Sequence, residues 1–261
     1  MIRIQEHAAP HLKLPKFQCD APLDTKLDKF PLLQTLNRPH AAAFIGRAGS
    51  GKTSNAIGML TNPQLMAEVF NLILVCMPAT SRASMEDCPL DQLPEDQLYE
   101  ELTLVCLQDM ERRALETSKK GGRTLLFFDD CQNALKVPAI ERLMVHLNSN
   151  RRHRKTCLWF AVQNYIKLPK QLRMGLTNIF LYSISKADMK RIHEELLEIP
   201  EQLFERVCTL FKQTRAEPTH DHSFLYWSAN PQRFFLDYDE LLLPAEDAGV
   251  AAHPRKEDVQ A

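Results

Sequence analysis

Residues Gly46-Arg47-Ala48-Gly49-Ser50-Gly51-Lys52-Thr53 follow the pattern G-x-x-x-x-G-K-T. Glycines at these positions let consecutive backbone N–H groups turn inward around the β-phosphate of a nucleoside triphosphate. The Lys52 ammonium then reaches the β/γ oxygens, and the Thr53 hydroxyl is a ligand for Mg²⁺. A second candidate group, Asp129-Asp130, ends the apolar run that begins at Thr124. Asp129 is placed to hold Mg²⁺, usually through water, and Asp130 to orient or deprotonate an attacking water. A third apolar run, Thr156 to Val162, ends in Gln163. Its amide suits sensing of the γ-phosphate or its water; the bland alternative is an amide that caps a strand end. Arg152 precedes Gln163 by one strand's length, so it belongs to the opposite end of the same strand, remote from its own phosphate site. A neighbouring subunit's site is within its reach, where an arginine supplied in trans is worth roughly 10³ to 10⁵ in rate. Equally open is a nucleic-acid contact or a wet surface formed by Arg151, Arg152, Arg154 and Lys155.

These groups need a scaffold that brings strand ends together. From Pro39 onward, strand-like apolar runs alternate with amphipathic stretches, the pattern of a mainly parallel sheet covered on both faces. Strands are expected at Ala41 to Ile45, Asn71 to Met77, Arg123 to Phe128, Thr156 to Val162 and Asn178 to Ser183. Helices are expected at Glu95 to Ser118, Val137 to Asn148, Lys186 to Glu198 and Pro200 to Gln213, with Pro200 suited to a first helical position. Helix Ser54 to Leu60 follows the phosphate loop and adds its positive N-terminal dipole. Two runs flanking Asn230-Pro231, Phe224 to Ser228 and Arg233 to Tyr238, read as a terminal hairpin. The expected organisation is an arm over 1–38 that lies on the core or a partner, or else a disordered leader, then a nucleotide-binding domain over 39–243 and a disordered tail over 244–261.

Composition narrows the classes. A chain of 261 residues fits one domain with tails, and a net charge of −1 excludes a polycation. Any nucleic-acid contact must therefore come from local clusters. Ser81 to Glu111 is strongly acidic and Arg112 to Lys155 strongly basic, though a solvated helix face explains either run alone. Seven cysteines without a C-x-x-C pair describe a reduced, intracellular protein. The longest apolar runs are too short to cross a bilayer, and the first residues lack a secretory h-region, so neither membrane insertion nor secretion is expected. No N-K-x-D base-reading motif occurs, which disfavours a GTPase.

The phosphate loop, Asp129-Asp130, Arg152-His153 ahead of the strand ending in Gln163, and the following Leu168-Pro169-Lys170-Gln171-Leu172-Arg173 together resemble the genome-packaging ATPases of poxvirus type found in large nucleocytoplasmic DNA viruses. These are members of the FtsK/HerA class of DNA-translocating motors. The resemblance spans about Ala41 to Tyr182, with a weaker echo in the terminal hairpin. It implies an α/β three-layer sandwich of the P-loop NTPase type, in which the Gln163 strand lies between the phosphate-loop strand and the Asp129 strand. It further implies ATP and Mg²⁺ as ligands and a homo-oligomeric ring, usually hexameric. Such a ring pulls double-stranded DNA, whatever its sequence, into a preformed capsid, meeting capsid or portal-vertex proteins in the host cytoplasm, the viral factory or the virion. Lys52 and Thr53 match the phosphate-loop pair, Asp129 the magnesium aspartate, Asp130 the adjacent catalytic acid, Gln163 the sensor and Arg152 the trans-acting arginine. Arg173 matches the arginine of the segment after the sensor strand, but the asparagine expected two residues later is Gly175. Cys131 stands where an aromatic or aliphatic residue is expected.

Two other readings stay open. In a small-molecule nucleotide kinase, Asn150 to Lys155 would serve as an arginine-rich lid. A slowly hydrolysing, nucleotide-gated capsid-assembly factor would use the same loop as a switch. Lys119, Lys120, Gly121, Gly122 and Arg123 are candidate DNA-contacting residues or an ordinary turn before a strand.

Overall fold

A computed structural model describes residues 21–183, 185–217, 220 and 222–244. The expected tail beyond Pro244, the first twenty residues of the expected arm, and Cys19 lie outside them. Among the described residues, nine strands form one sheet: β1 (Ala41–Ile45), β2 (Leu72–Cys76), β3 (Leu98–Tyr99), β4 (Thr124–Asp129), β5 (Thr156–Val162), β6 (Asn178–Leu181), β7 (Leu225–Ala229), β8 (Gln232–Leu236) and β9 (Asp239–Leu241). Their spatial order is β3-β2-β4-β5-β1-β6-β7-β8-β9. The first six strands in sequence pair in parallel, and β7, β8 and β9 continue the sheet antiparallel. As the resemblance implied, β5 lies between β1 and β4, paired to β1 from Leu158 to Val162 and to β4 from Thr156 to Ala161.

Helices cover both faces. They are α1 (Pro31–Gln34), α2 (Lys52–Thr61), α3 (Ala79–Ala83), α4 (Leu104–Lys119), α5 (Pro138–Asn150), α6 (Lys170–Met174), α7 (Lys186–Leu196) and α8 (Glu201–Arg215). The central strands are buried on both sides, so they are apolar throughout and alternate only in which core they join. Leu126, Phe128, Leu158 and Phe160 pack with residues of α4, α5 and α8. Leu125, Phe127, Cys157 and Trp159 pack with Ala56, Ile57, Met59 and Leu60 of α2. Residues 21–38 enter that second core through Leu23, Leu27, Leu32, Leu33 and Leu36.

Most boundaries shift by a residue or two from the sequence reading, and two of the differences have a visible physical cause. The helix expected from Glu95 begins at Leu104, behind the Thr103 side chain, which accepts from the Cys106 amide at 3.1 Å. Leu98 and Tyr99 instead pair with Val75 and Cys76 at the sheet edge, a long-range contact that overrides local helix preference. The strand expected to reach Ser183 ends at Leu181. Ser183 turns its hydroxyl to accept from the Arg47 amide at 3.0 Å, so the chain leaves the sheet to brace the phosphate loop.

Acidic and basic runs pair with each other. Arg113 bonds Asp96 at 2.8 Å, Arg112 bonds Asp109 at 2.6 Å and Glu116 at 2.8 Å, and Arg154 bonds Glu111 at 2.6 Å. Arg154 is thereby committed to α4 and leaves the basic group around Arg152.

Candidate active site

Alternation along the strands decides which side chains meet. Leu125 and Phe127 face α2, so Asp129, next in that parity, faces the first turn of the same helix. The Thr53 hydroxyl donates to the Asp129 carboxylate at 3.2 and 3.1 Å. Asp129 is only 4% exposed. Burial pushes its pKa up to about 6, against the opposing pull of Lys52 and the Thr53 hydrogen bond.

The phosphate loop is shaped by its backbone. Gly51 caps α2 at φ 89, a conformation that costs an L side chain strain. Among the described residues, the amides of Gly51, Lys52 and Thr53 donate to no backbone carbonyl, leaving a nest of N–H groups at a helix start. Gly46, at the other end of the loop, donates to Val162 at 3.1 Å and ties the loop to the end of β5.

Asp130 should follow strand parity onto the opposite face, yet it adopts φ 54, and this left-handed turn re-aims it. Its amide donates to Ala161 at 3.1 Å. Its Oδ1 accepts from Gln163 Nε2 and from Gln132 Nε2, each at 3.5 Å. Gln132 also accepts from the Gln163 amide at 3.4 Å, so it buttresses both groups. Sequence reading passed over Gln132; its only signal is a polar side chain directly after an acidic pair. Ala48 to Ser54, Asp129, Asp130 and Gln163 share one cavity of about 280 Å³, whose far wall is Ser81, Ser84 and Met85. That wall follows β2, because loops at the carboxyl ends of parallel strands converge on one crevice.

Arg152 is elsewhere. It lines a cavity of about 560 Å³ with Arg38, His40, Arg151 and Thr177, at the end of the sheet where β1, β5 and β6 begin. The Asn150 to Lys155 segment that a kinase would use as a lid therefore sits at the wrong end to close over this chain's own loop. Seven residues of β5 separate the two ends, roughly 20 Å at strand rise. His40 is fully enclosed there; burial lowers its pKa to about 4, and its Nε2 accepts from Trp159 Nε1 at 2.8 Å.

Arg173 belongs to neither site. It is buried and clamps Glu195 with two bonds, Nε to Oε2 at 2.8 Å and Nη2 to Oε1 at 2.7 Å, while Nη1 donates to the Leu168 carbonyl at 2.8 Å. Tyr165 completes the group, with its hydroxyl on Glu195 at 2.8 Å and its ring under the guanidinium at 5.1 Å. Gly175 is explained by packing: a Cβ there would lie 2.1 Å from the Asn148 amide nitrogen. Cys131 fits beneath the acidic pair because a small thiol can donate to the Asp129 carbonyl at 3.2 Å with Cys76 only 3.6 Å away.

Among the described residues no helix is long and apolar enough to cross a membrane. The family model described as Poxvirus A32 protein matches residues 28–219. No curated protein matches the chain in sequence. Among solved structures, B204, the DNA-packaging ATPase from Sulfolobus Turreted Icosahedral Virus, is similar with a TM-score of 0.54 at 20% identity, over 77% of this chain and 98% of that one. The genome packaging NTPase B204 from Sulfolobus turreted icosahedral virus 2, in complex with ATP-gammaS, gives 0.53 at 21% identity, over 78% and 98%. Its complex with AMP gives the same values. At such identity the likeness is one of fold.

Proposed function

The chain belongs to the Poxvirus A32 protein family, and from that premise we propose that it is a genome-packaging ATPase: a homo-oligomeric ring that hydrolyses ATP to translocate double-stranded DNA into a preformed capsid. The observation that carries the enzymatic part is the contact of Thr53 with Asp129 at 3.1 Å, inside the cavity that also holds Asp130 and Gln163. Support for the packaging part comes from the family and from the fold shared with the packaging NTPases.

Thr53 and Asp129 fit Mg²⁺: a hydroxyl and a carboxylate converge, and the carboxylate is buried at a cost that a cation relieves. Thr53 and Asp129 would hold the ion, which would supply neutralisation of the charge on the triphosphate. The loop amides and Lys52 hold the triphosphate. Asp130 aligns a water and accepts its proton, with Gln132 and Gln163 fixing the carboxylate. As the water oxygen bonds to the γ-phosphorus, the bond to the bridging oxygen breaks and its electron pair leaves with ADP. Gln163 reports the presence of the γ-phosphate. Arg152 completes the site of the next subunit, because its own loop lies at the far end of β5.

Steady-state hydrolysis with and without duplex DNA tests this reading. Turnover should rise with duplexes of unrelated sequence and lose that rise as salt increases. Turnover indifferent to DNA, or phosphate transfer to a small nucleotide, would contradict it.

A further inference from the structure

Strand order decides which way a triphosphate runs across the loop. The loop leaves β1, which has β5 and then β4 on one side and β6 and then β7 on the other. Asp129 ends β4 and Gln163 follows β5, so the γ-phosphate belongs on that side, in the cavity closed further out by Ser81, Ser84 and Met85. At about 280 Å³ that cavity is small for a whole ligand of nucleotide size. The α-phosphate and the nucleoside therefore extend the other way, toward the ends of β6 and β7.

On that side His222 reaches the loop. A Cβ on Gly51 would lie 3.3 Å from His222 Nδ1 and 3.5 Å from its Cβ and Cγ, so the imidazole lies against the start of α2. His222 is exposed, in the turn before β7. Because β7 is antiparallel to β6, with Leu225 opposite Leu181, this turn is at the same end of the sheet as the phosphate loop.

The turn is held from several directions. The Ser223 hydroxyl and the Phe224 amide donate to the two oxygens of Asp237 at 2.8 and 2.9 Å, the Asp237 amide donates to the Phe224 carbonyl at 2.8 Å, and Arg215 Nη1 donates to the Ser223 carbonyl at 3.2 Å. Phe224 is buried, its ring centre 5.4 Å from that of Phe180 and 5.7 Å from that of Tyr182. Tyr182 backs the other end of the loop, since a Cβ on Gly46 would lie 2.8 Å from its Cβ. None of these four bonds uses the His222 side chain, so the turn carries the imidazole to the loop already ordered. A preordered flat ring beside a phosphate cradle suits a flat ligand group, because little freedom is lost when that group stacks on it.

We infer that His222 forms the nucleoside subsite: its ring stacks on the base of the ATP whose phosphates the loop holds, and the clamp of Asp237 on Ser223 and Phe224 keeps it in place. This rests on the reading of the loop as an ATP site. Stacking uses a π-face that every base has, so the subsite separates a nucleotide from bare polyphosphate without reading the edge of the base.

The full chain is titrated with a non-hydrolysable ATP analogue and with inorganic tripolyphosphate, and kcat and KM for ATP are measured, in the parent, His222→Ala, His222→Phe and Met85→Ala. His222→Ala should weaken analogue binding and raise KM about tenfold, lower kcat less than twofold, and bind tripolyphosphate like the parent, the pattern of lost ground-state binding. His222→Phe keeps a ring and should keep most of the affinity. Unchanged analogue affinity in His222→Ala overturns the inference. So does an equal loss of tripolyphosphate binding, which makes His222 a support of the loop, and so does a His222→Phe protein as weak as His222→Ala. A raised KM in Met85→Ala with none in His222→Ala puts the base on the β2 side and overturns it as well. A parent that binds the analogue without hydrolysing ATP sinks the proposed function, while the same titrations still decide this subsite; a parent that binds neither ligand sinks both.

Discussion

At the end where the parallel strands leave the sheet, the site proposed for the triphosphate combines a nest of N–H groups at the start of α2, one lysine and the buried Asp129. At the end where they enter, the cavity is lined by the side-chain cations Arg38, Arg151 and Arg152. The contrast is one of completeness. The leaving end has acceptors, donors and a candidate water-activating group, yet no arginine among its lining residues. An arginine cluster without a reaction centre occupies the entering end. A head-to-tail interface between identical chains apposes unlike surfaces and closes into a ring when the rotation permits. In such a ring each end supplies what the other lacks.

The largest way to break this comparison is at Lys52. Lys52→Ala should abolish hydrolysis and weaken triphosphate binding, as read by turnover and by titration with an ATP analogue. Near-normal turnover would mean that the loop is not the reaction centre. Asp130→Asn sharpens the leaving end further: nucleotide binding should survive while turnover falls by roughly 10² to 10⁴. Equal loss of binding and rate would make Asp130 a structural or metal-site residue.

Arg173 supplies a contrast with both ends. Its removal takes the bidentate partner from the Glu195 carboxylate and leaves it only the Tyr165 hydroxyl and a longer contact with Arg191 at 3.8 Å, so Arg173→Ala should cost up to about 3 kcal/mol of unfolding free energy, visible as a lower melting temperature. The guanidinium holds the Glu195 carboxyl below its ordinary pKa. Stability from the pair is thus present above the unfolded-state value and is lost as pH falls through the folded one. A variant with unchanged stability but reduced turnover would return Arg173 to the catalytic residues.

A smaller effect of opposite sign is expected at Asp129. Its folded pKa, about 6, lies above the unfolded value of 3.8, so ionising it in the folded state costs stability from about pH 4 upward and fully above about pH 6. Without nucleotide and Mg²⁺, Asp129→Asn should melt higher than the parent at pH 7 to 8, by up to about 3 kcal/mol, while losing turnover. The two proteins should converge below about pH 4. Lower stability of the variant at neutral pH would show that the carboxylate is a structural asset.

Much of this architecture is readable from sequence because doubly buried strands have no polar faces. Thr156 to Val162 emerges with its bounds unchanged, and Asp129 is identifiable because it breaks an apolar run at a strand end. What stayed hidden depends on distant partners. Leu98 and Tyr99 look helical until β2 is present to pair with them. Gln132 gains its place only when Asp130 turns through φ 54. Arg38 and Arg152 are more than a hundred positions apart, and nothing local in either shows that they line one cavity. Arg173 looked functional by position, whereas Glu195 and Tyr165, which engage it, lie on other segments.

Whether the two sheet ends meet across a subunit interface is tested most directly by mixing subunits. Lys52→Ala and Arg152→Ala proteins, each inactive alone but each able to assemble, are combined and steady-state ATP hydrolysis is measured against the oligomer mass. Some mixed interfaces pair an intact loop with an intact arginine, so activity should reappear in the mixture, provided that neighbouring interfaces can fire independently. If Arg152→Ala instead retains wild-type turnover per subunit, as a monomer or in the ring, the arginine end plays no part in hydrolysis and the two-ended site is wrong.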